Sequence, residues 1–212
     1  MARIEPFEQH FLDYENWFER NEFAYASELS AVRELFPEGV KGLEVGVGTG
    51  RFAGPLGIQH GIEPSGQMAA QARKRGIDVR TGVAEDLPFA EGSYNVVLMV
   101  TTICFVDDIE QAFREAFRVL EPGGAVVVGF VDKNSRVGQR YLEHKDESIF
   151  YRSATFFSTE EVVSYLEKVG FVEFEFAQTI FNDLDQIHSS EPVRKGYGEG
   201  SFVVVRALKP PE

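Results

Sequence analysis

The stretch Leu43-Glu44-Val45-Gly46-Val47-Gly48-Thr49-Gly50 decides how the rest of the chain is interpreted. It has the pattern of a short apolar strand that runs into glycines at every second position. A loop of this kind turns tightly and carries no Cβ atoms, so a ligand can lie almost on the main chain. The stretch therefore predicts a ligand-binding loop at the end of a strand.

The spacing of the glycines argues against two common nucleotide-binding loops. A dinucleotide fingerprint needs Gly-x-Gly-x-x-Gly, which would place its third glycine at the position of Arg51. A P-loop needs a Gly-Lys-Ser/Thr ending, whereas Gly50 is followed by Arg51-Phe52. Among the ligands considered, a nucleoside without a pyrophosphate remains. Glu63, at the end of the next predicted strand, is suited to accept hydrogen bonds from ribose hydroxyls.

Four stretches of the chain, in this order, resemble the class I S-adenosylmethionine-dependent methyltransferases, and within them the branch of the ubiquinone and menaquinone C-methyltransferases. They are Gly42-Leu43-Glu44-Val45-Gly46-Val47-Gly48-Thr49-Gly50-Arg51-Phe52, Gly61-Ile62-Glu63-Pro64-Ser65 with Met68, Ala84-Glu85-Asp86-Leu87-Pro88-Phe89, and Arg118-Val119-Leu120-Glu121-Pro122-Gly123-Gly124. Four ordered motifs are far more specific than one glycine-rich loop.

The resemblance implies an α/β, Rossmann-like fold: a doubly wound, mostly parallel seven-stranded sheet with an antiparallel C-terminal hairpin and an N-terminal helical cap. The alternation of predicted strands and helices agrees with a parallel sheet joined by right-handed crossovers. We expect a single domain over 1–212. The helical cap occupies 1–38, the cofactor-binding core 40–132, and the substrate-side insertion, last helix and hairpin 133–212.

The resemblance also implies that S-adenosyl-L-methionine is the cofactor and S-adenosyl-L-homocysteine its product. Glu44 is expected to attract the methionyl ammonium and Glu63 to hold the ribose, while the loop glycines admit the methionine and ribose portions. The full set of expected cofactor-binding residues is Tyr14, Glu44, Gly46, Gly48, Thr49, Gly50, Glu63, Pro64, Met68, Ala84, Glu85 and Thr101. The sequence identifies no catalytic residue and no metal-ligand cluster.

The adenine end of the expected site departs from the family pattern. Members often carry an aspartate where this chain has Val83, and its carboxylate accepts from the adenine amino group. Our hypothesis is that the Ala84 backbone contacts the adenine ring and that Glu85 substitutes for the missing carboxylate, with Met68 packed on the purine. The alternative is that Glu85 and Asp86 are solvated loop acids.

Two segments outside the core are candidates for ligand contact. Tyr14 lies on an aromatic helical stripe near the N-terminus, and Trp17 flanks that stripe. Packing on the core is the simpler interpretation, but family members cover the cofactor cleft with their N-terminal helices, so either residue could face the ligand. The connection 182–201 either folds over the substrate or forms a mobile surface loop.

Composition and charge restrict the acceptor and the location. The net charge of −13 argues against a nucleic-acid substrate. The Asp/Asn-Pro-Pro-Tyr/Phe motif of nucleobase methyltransferases is absent at Thr101-Thr102-Ile103-Cys104-Phe105. A single cysteine fits a reducing compartment, so we expect a cytoplasmic protein. The first twenty residues lack the apolar core of a signal peptide, and no apolar run is long enough for membrane insertion.

We therefore predict an enzyme that transfers the sulfonium methyl group of S-adenosylmethionine to a small-molecule acceptor by in-line displacement. The aromatic-rich cap and the acidic surface favour a small apolar or cationic acceptor, whose reacting atom is oxygen, nitrogen, carbon or sulfur. The segment 133–157, polar with scattered aromatics, lies where members of the family that the chain resembles build part of the substrate pocket. The alternative from another class is a non-catalytic cofactor-binding or regulatory scaffold of the same fold, because a fold does not establish an activity. A dehydrogenase is a remote third option that Arg51 disfavours.

Overall fold

The computed structural model of the chain describes residues 5–39 and 41–211. Its strands are β1 (Gly42–Val45), β2 (His60–Ile62), β3 (Asp78–Arg80), β4 (Tyr94–Val100), β5 (Leu120–Val131), β6 (Val172–Thr179), β7 (Arg194–Lys195) and β8 (Phe202–Leu208). Its α-helices are α1 (Glu5–Gln9), α2 (Phe11–Arg20), α3 (Glu22–Leu35), α4 (Ala53–Leu56), α5 (Gly66–Lys74), α6 (Ile109–Val119), α7 (Arg136–Glu143) and α8 (Thr159–Val169). Short 3₁₀ turns lie at Lys145–Glu147, Tyr151–Ser153 and Leu184–Gln186.

The strands form one sheet in the order β3-β2-β1-β4-β5-β8-β6-β7. The first five strands in this order pair in parallel, and β8, β6 and β7 add antiparallel pairs at the C-terminal side. The predicted α/β architecture is confirmed, with eight strands instead of seven. The additional strand is β7, in which Arg194–Lys195 pair with the free edge of β6. Two residues give too weak a pattern to be predicted as a strand.

The two faces of the sheet are covered by different helices. On one face, Phe113 of α6 and Leu166 of α8 are fully buried in the same apolar cluster as Met99 of β4. On the other face, Val32 of α3 packs in a second cluster with Leu98. Because β4 is buried from both sides, its sequence is a nearly continuous apolar run, as expected for a central parallel strand.

Several helix ends are fixed by the side chains that the sequence indicates. The Ser65 hydroxyl accepts from the Met68 amide at 3.3 Å and begins α5. Asp108 caps α6 in the same way, accepting from the Gln111 amide at 3.0 Å. Ser158 and Glu161 form a capping box at the start of α8, as the sequence Ser158-Thr159-Glu160-Glu161 indicates. These caps place the helices so that the loops preceding them meet at the carboxyl ends of the parallel strands.

The N-terminal aromatic stripe is divided between two helices. The chain leaves helical geometry at His10, where ψ is 30°, so α1 and α2 lie at an angle that a single helix would not allow. Both helices lie over the sheet edge at which the glycine loop is found, since Glu8 of α1 accepts from the Gly66 amide of α5. Within the ranges 5–39 and 41–211, every helix is too short or too polar to cross a bilayer.

Candidate active site

A cleft of about 700 Å³ opens at the carboxyl ends of β1, β2, β3 and β4. In sheets of this kind, ligands bind at the point where the strand order reverses, which here lies between β1 and β4. The predicted residues that line the cleft are Tyr14, Gly46, Gly48, Glu63, Pro64, Met68, Ala84, Glu85 and Thr101. The fold therefore brings together residues that are separated by up to 87 positions in the sequence.

Glu63 is the central polar group of the cleft. Its Oε2 atom accepts from the Gly48 amide at 2.9 Å, and its Oε1 atom accepts from the Ser65 amide at 2.9 Å. The side chain is buried, and this burial raises its pKa to about 7 although the two amides oppose the shift. Each carboxylate oxygen keeps a further lone pair for a ligand, because a carboxylate has about four acceptor positions.

Gly48 leaves space between the loop and the helical cap. Its φ is +54°, and a Cβ atom at this position would lie 3.3 Å from the Tyr14 hydroxyl oxygen and 3.6 Å from the Met68 Cε. Tyr14 thus closes the cleft from above, as one of the two sequence interpretations anticipated. Burial, together with the carboxylates of Glu44 and Glu63, raises the pKa of Tyr14, so its hydroxyl keeps its proton.

Glu44 lies beneath the glycine loop and not on the cleft wall. Its side chain is 2% exposed, and the Ala53 backbone amide at the start of α4 donates to its carboxylate. The other oxygen, Oε2, has no hydrogen-bond partner among the described residues. Burial raises the pKa of Glu44 well above its ordinary value. A buried acceptor without a partner is costly, which makes Glu44 a candidate for a ligand or water donor.

Thr49 and Gly50 do not line the cleft in this structure. The Thr49 hydroxyl donates to Glu15 of the helical cap. A Cβ atom on Gly50 would collide with Ile77 and would lie 3.4 Å from Ala72 of α5. Gly50 therefore allows the loop to pack closely against α5. The cofactor contacts expected for both residues stay predictions.

Glu15 joins the helical cap to the loop beneath it. Its Oε2 atom lies 2.7 Å from Arg51 Nη2 and 2.8 Å from Arg75 Nη2, and its carboxylate also accepts from Thr49. The position of Arg51 argued against a dinucleotide-binding loop, and in the structure this residue joins the loop to the helical cap. With Glu8 on the Gly66 amide, these contacts hold α1 and α2 over the cleft.

Glu85 lines the cleft, but its carboxylate accepts hydrogen bonds from backbone amides, whereas we predicted that it contacts the adenine. Its Oε1 atom accepts from the Asp107 amide at 2.7 Å and the Asp108 amide at 3.2 Å, which joins the loop after β3 to the start of α6. Glu85 thus has a structural role at the start of α6, and its contact with the adenine stays a prediction. Only its second oxygen is available for the adenine contact that we proposed.

Some cleft residues escaped the sequence analysis. Among them, Phe7 of α1 contacts Phe105 with ring centroids 4.9 Å apart, and Thr102 donates to the Val45 carbonyl at 3.0 Å. Val83, in place of the adenine aspartate, is also on the wall. The position of Thr102 and Phe105 directly after β4 was the signal that could have identified them, because loops after parallel strands form such sites.

A second cavity of about 840 Å³ adjoins the cleft, and we call it the aromatic chamber. The two cavities share Phe7, Tyr14, Thr101 and Phe105. The remaining wall is Asp13, Trp17, Phe18, Arg20, Glu28, Phe52, Val131, Tyr141, Phe150 and Tyr151. Three of these residues belong to the segment 133–157, in which the resemblance placed part of the substrate pocket.

Glu28 is a buried acid on the chamber wall that the sequence analysis did not identify. It lies on the buried face of α3 with Ala24, Ala31 and Val32, so it is an acid within an apolar i, i+3, i+4 pattern, which could have indicated it. The connection 182–201 contributes to neither cavity wall. It packs beside α3 instead, where the Ser27 hydroxyl accepts from the Glu191 amide at 2.8 Å, so the interpretation that it folds over the substrate is not supported.

Comparison with known proteins identifies the family. Residues 43–128 match the type 11 methyltransferase domain family. A Thermotoga maritima crystal structure, described as a SAM-dependent methyltransferase and possible histamine N-methyltransferase, is 51% identical, with 96% of this chain and 98% of that chain covered and a TM-score of 0.94. An uncharacterized protein of Methanocaldococcus jannaschii is 41% identical over 203 residues, which is 96% of this chain and 98% of that protein.

A more distant relative represents the quinone branch. The demethylmenaquinone methyltransferase of Chlorobaculum parvum is 32% identical over 109 residues, which is 47% of this chain and 45% of that enzyme. The family match covers the glycine loop, Glu63 and the loops after β3 and β4, which are the segments that form the cleft. The chain belongs to the class I S-adenosylmethionine-dependent methyltransferases of the type 11 branch, and it is an enzyme with S-adenosylmethionine as its cofactor.

Proposed function

We propose that this enzyme methylates a small-molecule acceptor that binds in the aromatic chamber. The observation on which the proposal rests is the connection between the two cavities. Tyr14, Thr101 and Phe105 line both the cofactor cleft and the chamber, so an acceptor in the chamber would lie beside the cofactor.

The cleft offers groups that fit S-adenosylmethionine. Glu44 lies beneath the glycine loop, from where its unpartnered oxygen would attract the methionyl ammonium through a water molecule, and Glu63 has free acceptor positions for ribose hydroxyls. Gly48 allows close approach to the main chain, and the buried Met68 is placed to pack on the purine beside Ala84. When bound, the cofactor supplies an activated methyl group on a sulfonium centre.

The chain's own contribution is mainly positional. Tyr14, Phe7 and Phe105 surround the junction of the two cavities with apolar surface, which would exclude water and leave a positive charge poorly solvated. The Glu15 contacts with Arg51 and Arg75 hold the helical cap over this junction. Alignment of two bound reactants can account for roughly 7–11 kcal/mol of a reaction barrier.

A small-molecule acceptor is favoured over a nucleic acid on two grounds. The net charge of −13 gives a field that repels phosphate backbones. The description of the Thermotoga maritima relative also refers to a small molecule, histamine. The single cysteine favours a reducing, cytoplasmic location.

A screen for methyl acceptors tests the proposal. Purified enzyme with S-adenosylmethionine would be incubated with amines, phenols, thiols, quinones, total RNA and DNA, and S-adenosylhomocysteine formation would be measured. We expect turnover with members of the small-molecule set. Methylation of RNA or DNA alone would contradict the proposed acceptor class. Cofactor binding without turnover of any acceptor would favour the non-catalytic scaffold.

A further inference from the structure

We propose that the aromatic chamber binds the ammonium group of a small amine acceptor and that Glu28 is its counter-ion. This inference rests on the proposed function, because it defines the substrate class of the same chamber. It starts from a carboxyl side chain that is 7% exposed and lies on the chamber wall.

Glu28 has no hydrogen-bond or ion-pair partner among the described residues, although its neighbours on α3 are well packed. The positively charged side chain on the described part of the wall is Arg20, which is exposed at the rim and donates to the Asn16 carbonyl at 3.3 Å. Burial of an acid without a partner is costly, and the fold gains nothing visible from it. A ligand that supplies the missing positive charge accounts for its presence.

The remainder of the wall is suited to an organic cation. The rings of Tyr141 and Tyr151 are stacked with centroids 4.8 Å apart. Phe150 and Trp17 add further aromatic faces. Aromatic faces attract ammonium groups, and the attraction is stronger where water is excluded. A carboxylate inside an aromatic enclosure favours an amine over an alcohol or a thiol of the same shape.

The protonation state of Glu28 adds a measurable signature. Burial raises its pKa to about 8, so the empty chamber holds a largely uncharged acid at neutral pH. The other titratable or charged groups that face it are Asp13, Tyr14 and Arg20 of α2, Tyr141 of α7, and Tyr151. Burial raises the pKa of all three tyrosines, so they remain neutral where Glu28 titrates. Amine affinity should therefore rise between pH 6 and pH 8.

Calorimetric titration with matched probes tests the inference without measuring turnover. The probes are phenethylamine, benzylamine and cyclohexylamine, each paired with its neutral isostere 2-phenylethanol, benzyl alcohol or cyclohexanol. They are titrated at pH 6, 7 and 8, with and without saturating S-adenosylhomocysteine. The proteins are the wild type, Glu28→Gln and Glu22→Gln, which makes the same carboxylate-to-amide change at an exposed position of α3 outside both cavity walls.

We expect at least one amine to bind the wild type tighter than its alcohol by about tenfold or more, which corresponds to a desolvated charge pair. Glu28→Gln should abolish this preference and its dependence on pH, whereas Glu22→Gln should retain both. Equal binding of amine and alcohol by the wild type would overturn the inference. So would an amine preference that survives in Glu28→Gln, or one that Glu22→Gln loses to the same extent.

Binding of S-adenosylhomocysteine separates this inference from the proposed function. Glu28 is not on the wall of the cofactor cleft, so Glu28→Gln should bind S-adenosylhomocysteine within about twofold of the wild type. If the wild type binds S-adenosylhomocysteine but shows no amine preference, the amine assignment is wrong and methyl transfer to another small molecule stands. If the wild type fails to bind S-adenosylhomocysteine, the proposed function is contradicted, and with it the amine inference that rests on it.

Discussion

The carboxylate of Glu63 accepts a hydrogen bond from the backbone amide of Gly48 at 2.9 Å, and this contact joins the ends of β1 and β2. The second oxygen accepts from the Ser65 amide, so the side chain is fixed by two main-chain donors. The same carboxylate lines the cofactor cleft. One residue therefore fixes the glycine loop and presents free acceptor positions to the cleft.

Replacement of Glu63 should weaken cofactor binding strongly. A charged hydrogen bond is worth roughly 1.5–3 kcal/mol, so Glu63→Ala should raise the dissociation constant for S-adenosylhomocysteine on the order of 10- to 100-fold. Calorimetry measures the change, with Glu91→Ala as an exposed-acid control. An increase under about twofold in Glu63→Ala would contradict the assignment.

Alanine at Gly48 and at Gly50 should have different effects. Both glycines have positive φ, so each substitution costs roughly 1–2 kcal/mol of backbone energy. Only Gly50→Ala also collides with the buried Ile77 side chain, so it should lower the melting temperature by several degrees more than Gly48→Ala. Gly48→Ala should instead weaken cofactor binding by about tenfold, because its Cβ atom enters the cleft beneath Tyr14. Thermal unfolding and calorimetry on both variants give the comparison, and equal losses of stability would refute it.

Loss of Glu15 should loosen the helical cap. Glu15→Ala removes the contacts to Arg51, Arg75 and Thr49, which hold α2 on the glycine loop. These contacts are partly exposed, so we expect S-adenosylhomocysteine to dissociate about five- to tenfold faster, with a smaller effect on its association. Stopped-flow displacement measures both rates. Glu19→Ala, on the exposed side of the same helix, is the control and should leave them unchanged.

Glu28 should make the ligand-free protein less stable at alkaline pH. Because burial raises its pKa to about 8, the folded state binds more protons than the unfolded chain, and the free energy of unfolding falls as pH rises from about 4 to 8. Glu28→Gln should therefore be more stable than the wild type at pH 9, by on the order of a few kcal/mol, with a smaller gain at pH 5. Urea unfolding at both pH values measures the difference. A gain independent of pH would show that Glu28 does not titrate in this way.

Most of the sheet could be predicted because its elements have strong local signals. The apolar run of β4, the caps Ser65 and Ser158, and the glycine loop after β1 depend on neighbours in the sequence. The strand β7 was missed because its pairing with β6 is a tertiary event over two residues. The break at His10 was missed for a similar reason, since the aromatic stripe continues across it.

The candidate site could be predicted on its cofactor side and much less on its acceptor side. Glu63, Gly48 and Met68 belong to the sequence motifs from which we predicted an S-adenosylmethionine site, and all three line the cleft. Glu28 lies in a helix whose remaining buried residues are small or apolar. The role that we propose for it depends on Tyr141 and Tyr151, which line the same chamber but are more than 100 positions away in the sequence. Gly50 shows why spacing alone is incomplete, because its close contact with Ile77 of the loop before β3 depends on tertiary packing that the glycine motif does not reveal.

The most direct test of the central claim is a calorimetric titration of the wild-type enzyme with S-adenosylmethionine and, separately, with S-adenosylhomocysteine. The cleft around Glu63, Gly48 and Tyr14 predicts binding of both at roughly micromolar concentrations, or about −8 kcal/mol. Thermal unfolding of the same sample confirms that the protein is folded. Absence of binding of both compounds to the folded protein would contradict the assignment of the cleft.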